Sequence, residues 1–455
     1  MRKLARIAAF GALLAMFGAP VRADEAPKPP AGLERIQHII VLYLENRSFD
    51  QLYGLFPGAD GLANAGAAAI QVDRDGKPYD KLPPALDTNR KGAPVDTRFP
   101  QALDNKPYRA EPYSALSETT GDLVHRFYQE QLQIDGGKMD KFVAWSDAGA
   151  LVMSTYDGSK MALWQYAKDF TLMDHFHHAA FGGSFLNHFY LVCACTPVYS
   201  NAPAGLVARL DDQGHVVKDG PVTPDGFAVN TLFPFNGPYP QGIPEAMRLP
   251  LQTEPTIGDR LSAKGIDWAW YSGGWDLAAA GHPGPQFQFH HQAFAFFADT
   301  ALGAPGAKAH LKDEADFIGG IERGTLPPVA FFKPSGEDNE HPGYATVLAG
   351  EYHTAMLLRL IQASPLWNDS VVIVTYDENG GLWDHVAPPV VDRWGPGTRV
   401  PTLVISPFAK KGFVDHTTMD TTAILKLIET RFGLAPLTSR DAASPDMTDA
   451  LDFQH

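Results

Sequence analysis

The sequence predicts an α/β fold, a sheet sandwiched between helices. Two features predict it: short, nearly unbroken apolar runs, and segments of helical spacing between them. Unbroken apolar runs suit strands buried on both faces of a parallel sheet. Their alternation with helices is the mark of the α/β class.

In chain order, the first clear strand is Ile39 to Leu44. Weaker strands follow at Phe170 to Met173, Asp267 to Tyr271 and Val329 to Phe332. The Val-rich run Ser370 to Tyr376 is a second clear strand, and Thr402 to Ser406, after Val400-Pro401, is a third. Helices are expected over Phe185 to Cys195, entered through Gly182-Gly183, over Gly350 to Ala363, and over Thr421 to Phe432 with Asp420 as its N-cap. Residues 57–115 and 197–255 are rich in turn formers and read as loop and hairpin insertions. Their turns are expected at Asp75-Gly76 and Asp212-Gln213-Gly214. The core pattern resumes after each, so residues 24–455 read as one decorated domain.

The first 23 residues read as a secretory signal: basic Arg2, Lys3 and Arg6, an apolar run from Ile7 to Gly18, then Val21-Arg22-Ala23 as a cleavage site. The apolar run is too short to span a bilayer, and the expected location is the periplasm or the medium. Of 37 basic and 52 acidic residues, removal of the signal takes four basic ones, leaving 33 against 52, a net charge of −19. Such a chain repels nucleic acid and offers no broad basic face to an anionic membrane. An anionic substrate therefore needs local positive charge, which a metal ion supplies. Cys193 and Cys195, one residue apart, would close an awkward ring and are expected as free, buried thiols.

Glu45-Asn46 directly follows the first strand, and Asp377-Glu378 directly follows the Val-rich strand. Ligands gather at the carboxyl ends of strands in open α/β sheets, and these hard oxygen donors suit Mg, Ca or Mn. Either pair alone reads as helix-capping loop acids; both together favour a metal. Ser184 opens a helix behind two glycines, where an anion is favoured, although an ordinary N-cap serine looks the same. The run lacks the G-x-S-x-G elbow of esterases, and H-E-x-x-H and the phosphate-binding loop of nucleotidases are absent. Histidines cluster at His175, His177, His178 and His188, at His290-His291 and at Glu340-His341, with His125 on a helix. Several at strand ends could protonate a leaving group or neutralise phosphate oxygens. Asp73-Arg-Asp75-Gly reads as a turn, and the Asn46-Arg-Ser sequon as accidental.

Four motifs carry a resemblance. His38-Ile-Ile-Val-Leu-Tyr-Leu-Glu-Asn-Arg-Ser-Phe-Asp50 and Thr375-Tyr-Asp-Glu-Asn-Gly-Gly-Leu-Trp-Asp-His385, with Phe181-Gly-Gly-Ser-Phe-Leu-Asn187 and Glu340-His341-Pro342 between them, resemble the bacterial phosphoesterase family. That family contains acid phosphatases and phosphatidylcholine-preferring phospholipases C. The resemblance spans about His38 to Phe432 and implies an alkaline-phosphatase-like mixed β-sheet between helices. It implies Ser184 as nucleophile and Glu45, Asn46, Ser184, Asp377 and Glu378 around a divalent metal ion. It also implies His125, His291 and His341 as phosphate contacts, with His290 the alternative to His291. Serine, where the phospholipase branch tends to have threonine, and the chain's end at His455 favour an exported acid phosphatase acting on small phosphate monoesters. A phospholipase C acting on phosphatidylcholine-type lipids is the alternative. A non-catalytic phosphate-binding protein is the rival from another class, and a sulfatase is disfavoured because its C-x-P-x-R or S-x-P-x-R motif is missing at Ser184.

Overall fold

The computed structural model describes residues 30–454. The expected signal, residues 1–23, lies outside them. Eight strands form the main sheet: β1 (His38–Leu44), β2 (Thr171–Met173), β3 (Trp268–Ser272), β4 (Leu311–Asp313), β5 (Val329–Lys333), β6 (Ser370–Tyr376), β7 (Thr402–Ile405) and β8 (Phe413–Asp415). Their order across the sheet is β4-β3-β5-β1-β6-β7-β2-β8. β1 runs parallel to both β5 and β6, and β7 is antiparallel to β6 and β2, so the sheet is mixed.

Residues 39–44 of β1 and all of β6 are buried. This burial on both faces is why they read as continuous apolar runs rather than alternating ones. All six strands expected from the sequence are present. The two not foreseen, β4 and β8, are three-residue strands at the sheet's edges, too short to carry a pattern.

The helices used below are α1 (Phe49–Tyr53), α2 (Phe127–Ile134), α3 (Ala162–Asp169), α4 (Ser184–Cys193), α5 (Ile257–Ala263), α6 (Glu314–Arg323), α7 (Val347–Ala363) and α8 (Thr422–Phe432). One group packs α4 with α5 and α8; another packs α7 with α3 and α6. α7 buries Val347, Gly350, Thr354, Leu358 and Ile361 at three- and four-residue spacing, which fixes its core face. Thr346 caps it, accepting from the Ala349 N–H at 3.1 Å. Thr421 stands at the N-cap position of α8, one residue later than expected, without a side-chain cap bond, and it is the Asp420 carboxylate that accepts from the Thr422 N–H at 2.8 Å.

Both expected hairpin turns form. Val72 bridges Pro78 around Asp75-Gly76, and the Asp73 carboxylate accepts from the Asp75 and Lys77 N–H groups. That local use of Asp73 explains the turn. Arg209–Leu210 pairs antiparallel with Val216–Lys218 around the second turn. Leu82 and Phe99 of the first insertion join Met139, Phe142, Leu151 and Trp383 in a second, smaller core.

The cysteines correct an expectation. Cys193 and Cys195 form a disulfide rather than remaining free. Ala194, at the C-cap of α4, takes a left-handed conformation (φ 48°, ψ 34°), which turns the chain so that the two Cα atoms stand 5.1 Å apart. That spacing lies within the range a disulfide bridges. Among the described residues no helix is long and apolar enough to cross a membrane.

Candidate active site

β1 and β6 are neighbours paired in register, with Leu44 opposite Tyr376. The residues that leave them, Glu45-Asn46 and Asp377-Glu378, are therefore side by side at the sheet's carboxyl edge. All four are buried. The Asp377 Oδ1 accepts from the main-chain N–H groups of Asn46 (3.1 Å) and Glu378 (2.8 Å), tying the two loops together. Asn46 is held at φ 59°, an uncommon conformation for a non-glycine residue and one that tends to persist at functional sites. Its burial also removes the sequon as a sugar acceptor.

Ser184 is the first residue of α4. Its Oγ stands 3.1 Å from Glu45 Oε2, 3.3 Å from Glu378 Oε1 and 3.4 Å from Asn46 Oδ1. The double glycine explains how His125 reaches the same place. A Cβ on Gly182 would lie 2.4 Å from the Phe127 nitrogen, and one on Gly183 would lie 2.9 Å from the His125 carbonyl oxygen. Only glycine lets the chain entering α2 approach so closely.

Asn46 then organises two rings. Its amide nitrogen lies 3.3 Å from His125 Nε2 and 3.0 Å from His341 Nε2. Each ring's Nδ1 faces a main-chain carbonyl oxygen, that of Leu123 for His125 and that of Pro342 for His341, both at 2.5 Å. Nδ1 therefore carries the hydrogen in each ring, and the Nε2 lone pairs face the amide. Burial, joined by the charge of His125, holds His341 well below the ordinary histidine range.

A cavity of about 290 Å³ opens over Ser184, walled by His125, His290, Asp122, Asn230 and Thr88. His290, held down to about 4 by burial, belongs to this wall. His291, expected as a phosphate contact, does not. It is 1% exposed, stacks on His188 with ring centroids 4.9 Å apart, and brings Nδ1 to 3.4 Å from Glu45 Oε1 behind the cavity. The short helical turn Phe289–His291 sends the two rings different ways. The structure thus brings together Ser184, Glu45, Asn46, Asp377, Glu378, His125 and His341, and sets His291 behind them. Lys333, the last residue of β5, was not foreseen: it pairs with Glu45 while ending an apolar strand, and nothing in its neighbourhood flags a site. Asp122 could have been found in Asp122-Leu-Val-His, three residues before His125; both lie in the irregular segment ahead of α2, so His125 precedes the helix it was expected to sit on.

The donor set suits a divalent cation. Three buried carboxylates, Glu45, Asp377 and Glu378, face a single ammonium, that of Lys333. Burial first, and the charge of Asp377 next, push the Glu45 and Glu378 carboxyls well above the usual carboxylate range. Asp377 Oδ2 is buried with no hydrogen-bond partner. Buried unpaired charge is costly, and a hard cation among these oxygens relieves it. Other groups near one another include Glu45 with His188 and His291, and Asp50 with Asp384 and His385.

A mixed sheet carrying oxygen donors at its carboxyl edge and a serine at a helix N-terminus is an arrangement for handling anionic esters. The chain belongs to the phosphoesterase family, whose model matches residues 36–435. With the family comes the enzyme class, a phosphoric ester hydrolase. Similar proteins include the "Non-hemolytic phospholipase C" of Pseudomonas aeruginosa, 26% identical over 99% of this chain and 63% of the relative. The "Phospholipase C A" of Mycobacterium tuberculosis is 27% identical over 97% of this chain and 82% of the relative. The chain thus spans less than two thirds of the Pseudomonas relative's length. Among solved structures, a protein of the alkaline phosphatase superfamily from Vibrio parahaemolyticus is similar at a TM-score of 0.36, with 11% identity over 64% of each chain.

Proposed function

We propose that this protein is an exported phospholipase C that hydrolyses a phospholipid phosphodiester through Ser184. The observation that carries the chemistry is the Ser184 hydroxyl, set at the N-terminus of α4, on the cavity wall, within 3.4 Å of three side-chain oxygens. The phospholipase names of relatives matching almost the whole chain support the choice of ester.

Glu45, Asn46, Ser184, Asp377 and Glu378 would hold a divalent ion. When bound, it lowers the pKa of a ligating hydroxyl and offsets charge on the phosphoryl group. Ser184 Oγ attacks phosphorus, its proton passing to Glu45 or Glu378. His125, His341 and a member of the His290-His291 doublet bind the phosphoryl oxygens, and His290 is the member on the cavity wall. A phosphate anion beside these rings raises their proton affinity. A ring protonated in this way gives its proton to the departing alcohol. Water then attacks the phosphoserine and the same ring, now neutral, takes a proton from it; the P–Oγ bond breaks to release the phosphate product, and Ser184 Oγ recovers its proton from Glu45 or Glu378. The net charge, −15 for the whole chain and −19 after the expected removal of the signal, leaves this local arrangement, rather than the surface as a whole, to attract substrate.

A second reading, a phosphomonoesterase of acidic pH, is favoured by one observation. At about 290 Å³ the cavity sits at the small end of ligand pockets and suits a compact ester. Turnover of phosphatidylcholine and of p-nitrophenyl phosphate, at pH 5 and pH 8, by wild type and Ser184→Ala, separates the readings. Lipid hydrolysis lost in the variant supports the phospholipase. Hydrolysis of the small ester alone moves the assignment to the monoesterase. Activity that survives in Ser184→Ala removes the nucleophile.

A further inference from the structure

Behind the proposed metal site lies a second, fully buried set of ligand atoms. Glu45, His188 and His291 each bring one to within 4.8 Å of the others. The His188 Nδ1–H donates to the Ser184 carbonyl oxygen at 2.7 Å, so its Nε2 carries the lone pair, and that atom is buried with no partner. His291 Nε2 is likewise buried without a partner. The His291 atom nearest Glu45 is Nδ1, 3.4 Å from Oε1, so a carboxylate and two imidazoles, each with an unpartnered nitrogen, form a donor set for a cation.

The structure fills that position differently. Lys333 is 1% exposed, and its Nζ pairs with Glu45 Oε1, donates to the Leu44 carbonyl oxygen at 3.2 Å and lies 4.9 Å from the centre of the Tyr43 ring. Neighbouring charges are engaged elsewhere: His178 with Glu130 at 2.9 Å, and Arg47 with Gln51 and the Glu340 carbonyl oxygen. Three carboxylates against the Lys333 ammonium leave two negative charges, which one divalent ion cancels. A second ion would add two positive charges next to an ammonium held in a poorly screened interior.

We propose that the Lys333 ammonium is the built-in second cation of this centre: it positions Glu45 for the catalytic ion and limits the chain to one divalent ion by denying the Glu45–His188–His291 set to another. Lys333 is a positioning residue; on this proposal it touches neither substrate nor metal. The inference rests on the proposed oxygen-ligand metal site, and its test does not depend on turnover.

The experiment is the stoichiometry of Co²⁺ per chain, by elemental analysis and by titration of the visible Co²⁺ spectrum, on the whole protein with melting curves as a check on folding. Wild type is expected to bind one ion. Lys333→Ala is expected to bind two, the second adding a spectrum with nitrogen ligation that disappears in Lys333→Ala/His188→Ala. Lys333→Arg, which keeps the charge, is expected to stay at one. Lys333→Gln carries the same expectation as Lys333→Ala if the smaller side chain prevents folding. Two ions in wild type overturn the proposal without any variant. One ion in wild type and an unchanged single ion in folded Lys333→Ala or Lys333→Gln overturn it while leaving the metal site intact. No ion in wild type removes the metal site itself, and the proposal with it.

Discussion

Two buried acidic clusters grow from the same pair of chain segments, and they are balanced in opposite ways. Asp50 and Asp384 lie a few residues beyond Glu45 and Glu378. Arg399, fully buried, pairs with Asp384 through Nε (2.8 Å) and Nη2 (3.1 Å) and with Asp50 at 3.2 Å. His385 adds an Nδ1 contact to Asp50 at 2.6 Å. That cluster closes on itself. Among the described residues Lys333 is the only lysine or arginine paired with the Glu45–Asp377–Glu378 cluster, and Asp377 Oδ2 is left without a hydrogen-bond partner. A buried charge set that neutralises itself is structure; one left short of cation is a binding site waiting for its ligand.

The sharpest way to break the comparison is at Arg399. Arg399→Leu leaves the buried Asp384 uncompensated and Asp50 with His385 alone, and is expected to destabilise the fold by about 3–5 kcal/mol, read as a lower midpoint in urea. Any loss of activity should follow unfolding and disappear under strongly stabilising conditions.

Asp377→Asn is expected to do the reverse. Removing one of three like charges relieves repulsion, so the metal-free variant should melt no lower than metal-free wild type. Its activity should nevertheless fall by more than the ~100-fold that losing a partner outside the coordination sphere costs, and metal retention should fall with it. A destabilised Asp377→Asn with normal metal content would erase the distinction between the clusters.

The smallest expected effect is one of pH. Burial opposes a charged ring at His385, but the hydrogen bond and charge of Asp50 outweigh it and raise its pKa. Its contribution to stability is therefore complete below the unfolded histidine value, about 6.5, and is lost as pH rises through the raised folded value. The melting-point gap between wild type and His385→Gln should be wider at pH 6 than at pH 9. A gap that widens with pH would contradict the sign.

Much of this was legible before any coordinates. β1 and β6 announce themselves because both faces are covered, so apolar residues follow one another without alternating with charged ones. Glu45-Asn46 and Asp377-Glu378 stand out because acids follow such runs directly. β4 and β8 were invisible because three-residue edge strands have no period. Which of His290 and His291 lines the cavity depended on a single short turn, which no spacing argument resolves. Ala194 in the left-handed region likewise decided that Cys193 and Cys195 meet.

The sequence by itself determined the order of strands and helices, the identity of the oxygen donors and the serine behind its two glycines, because burial and backbone permissiveness act locally and leave a residue-by-residue trace. Only the tertiary structure decided which strands are neighbours, and so which charges share a space. Lys333 reaches Glu45 because β5 lies against β1, and Arg399 reaches Asp50 and Asp384 because the chain after β6 folds back over α1. Whether a buried carboxylate is satisfied or left wanting a cation is a property of three-dimensional proximity, since Coulomb interactions depend on distance in space and not on separation along the chain.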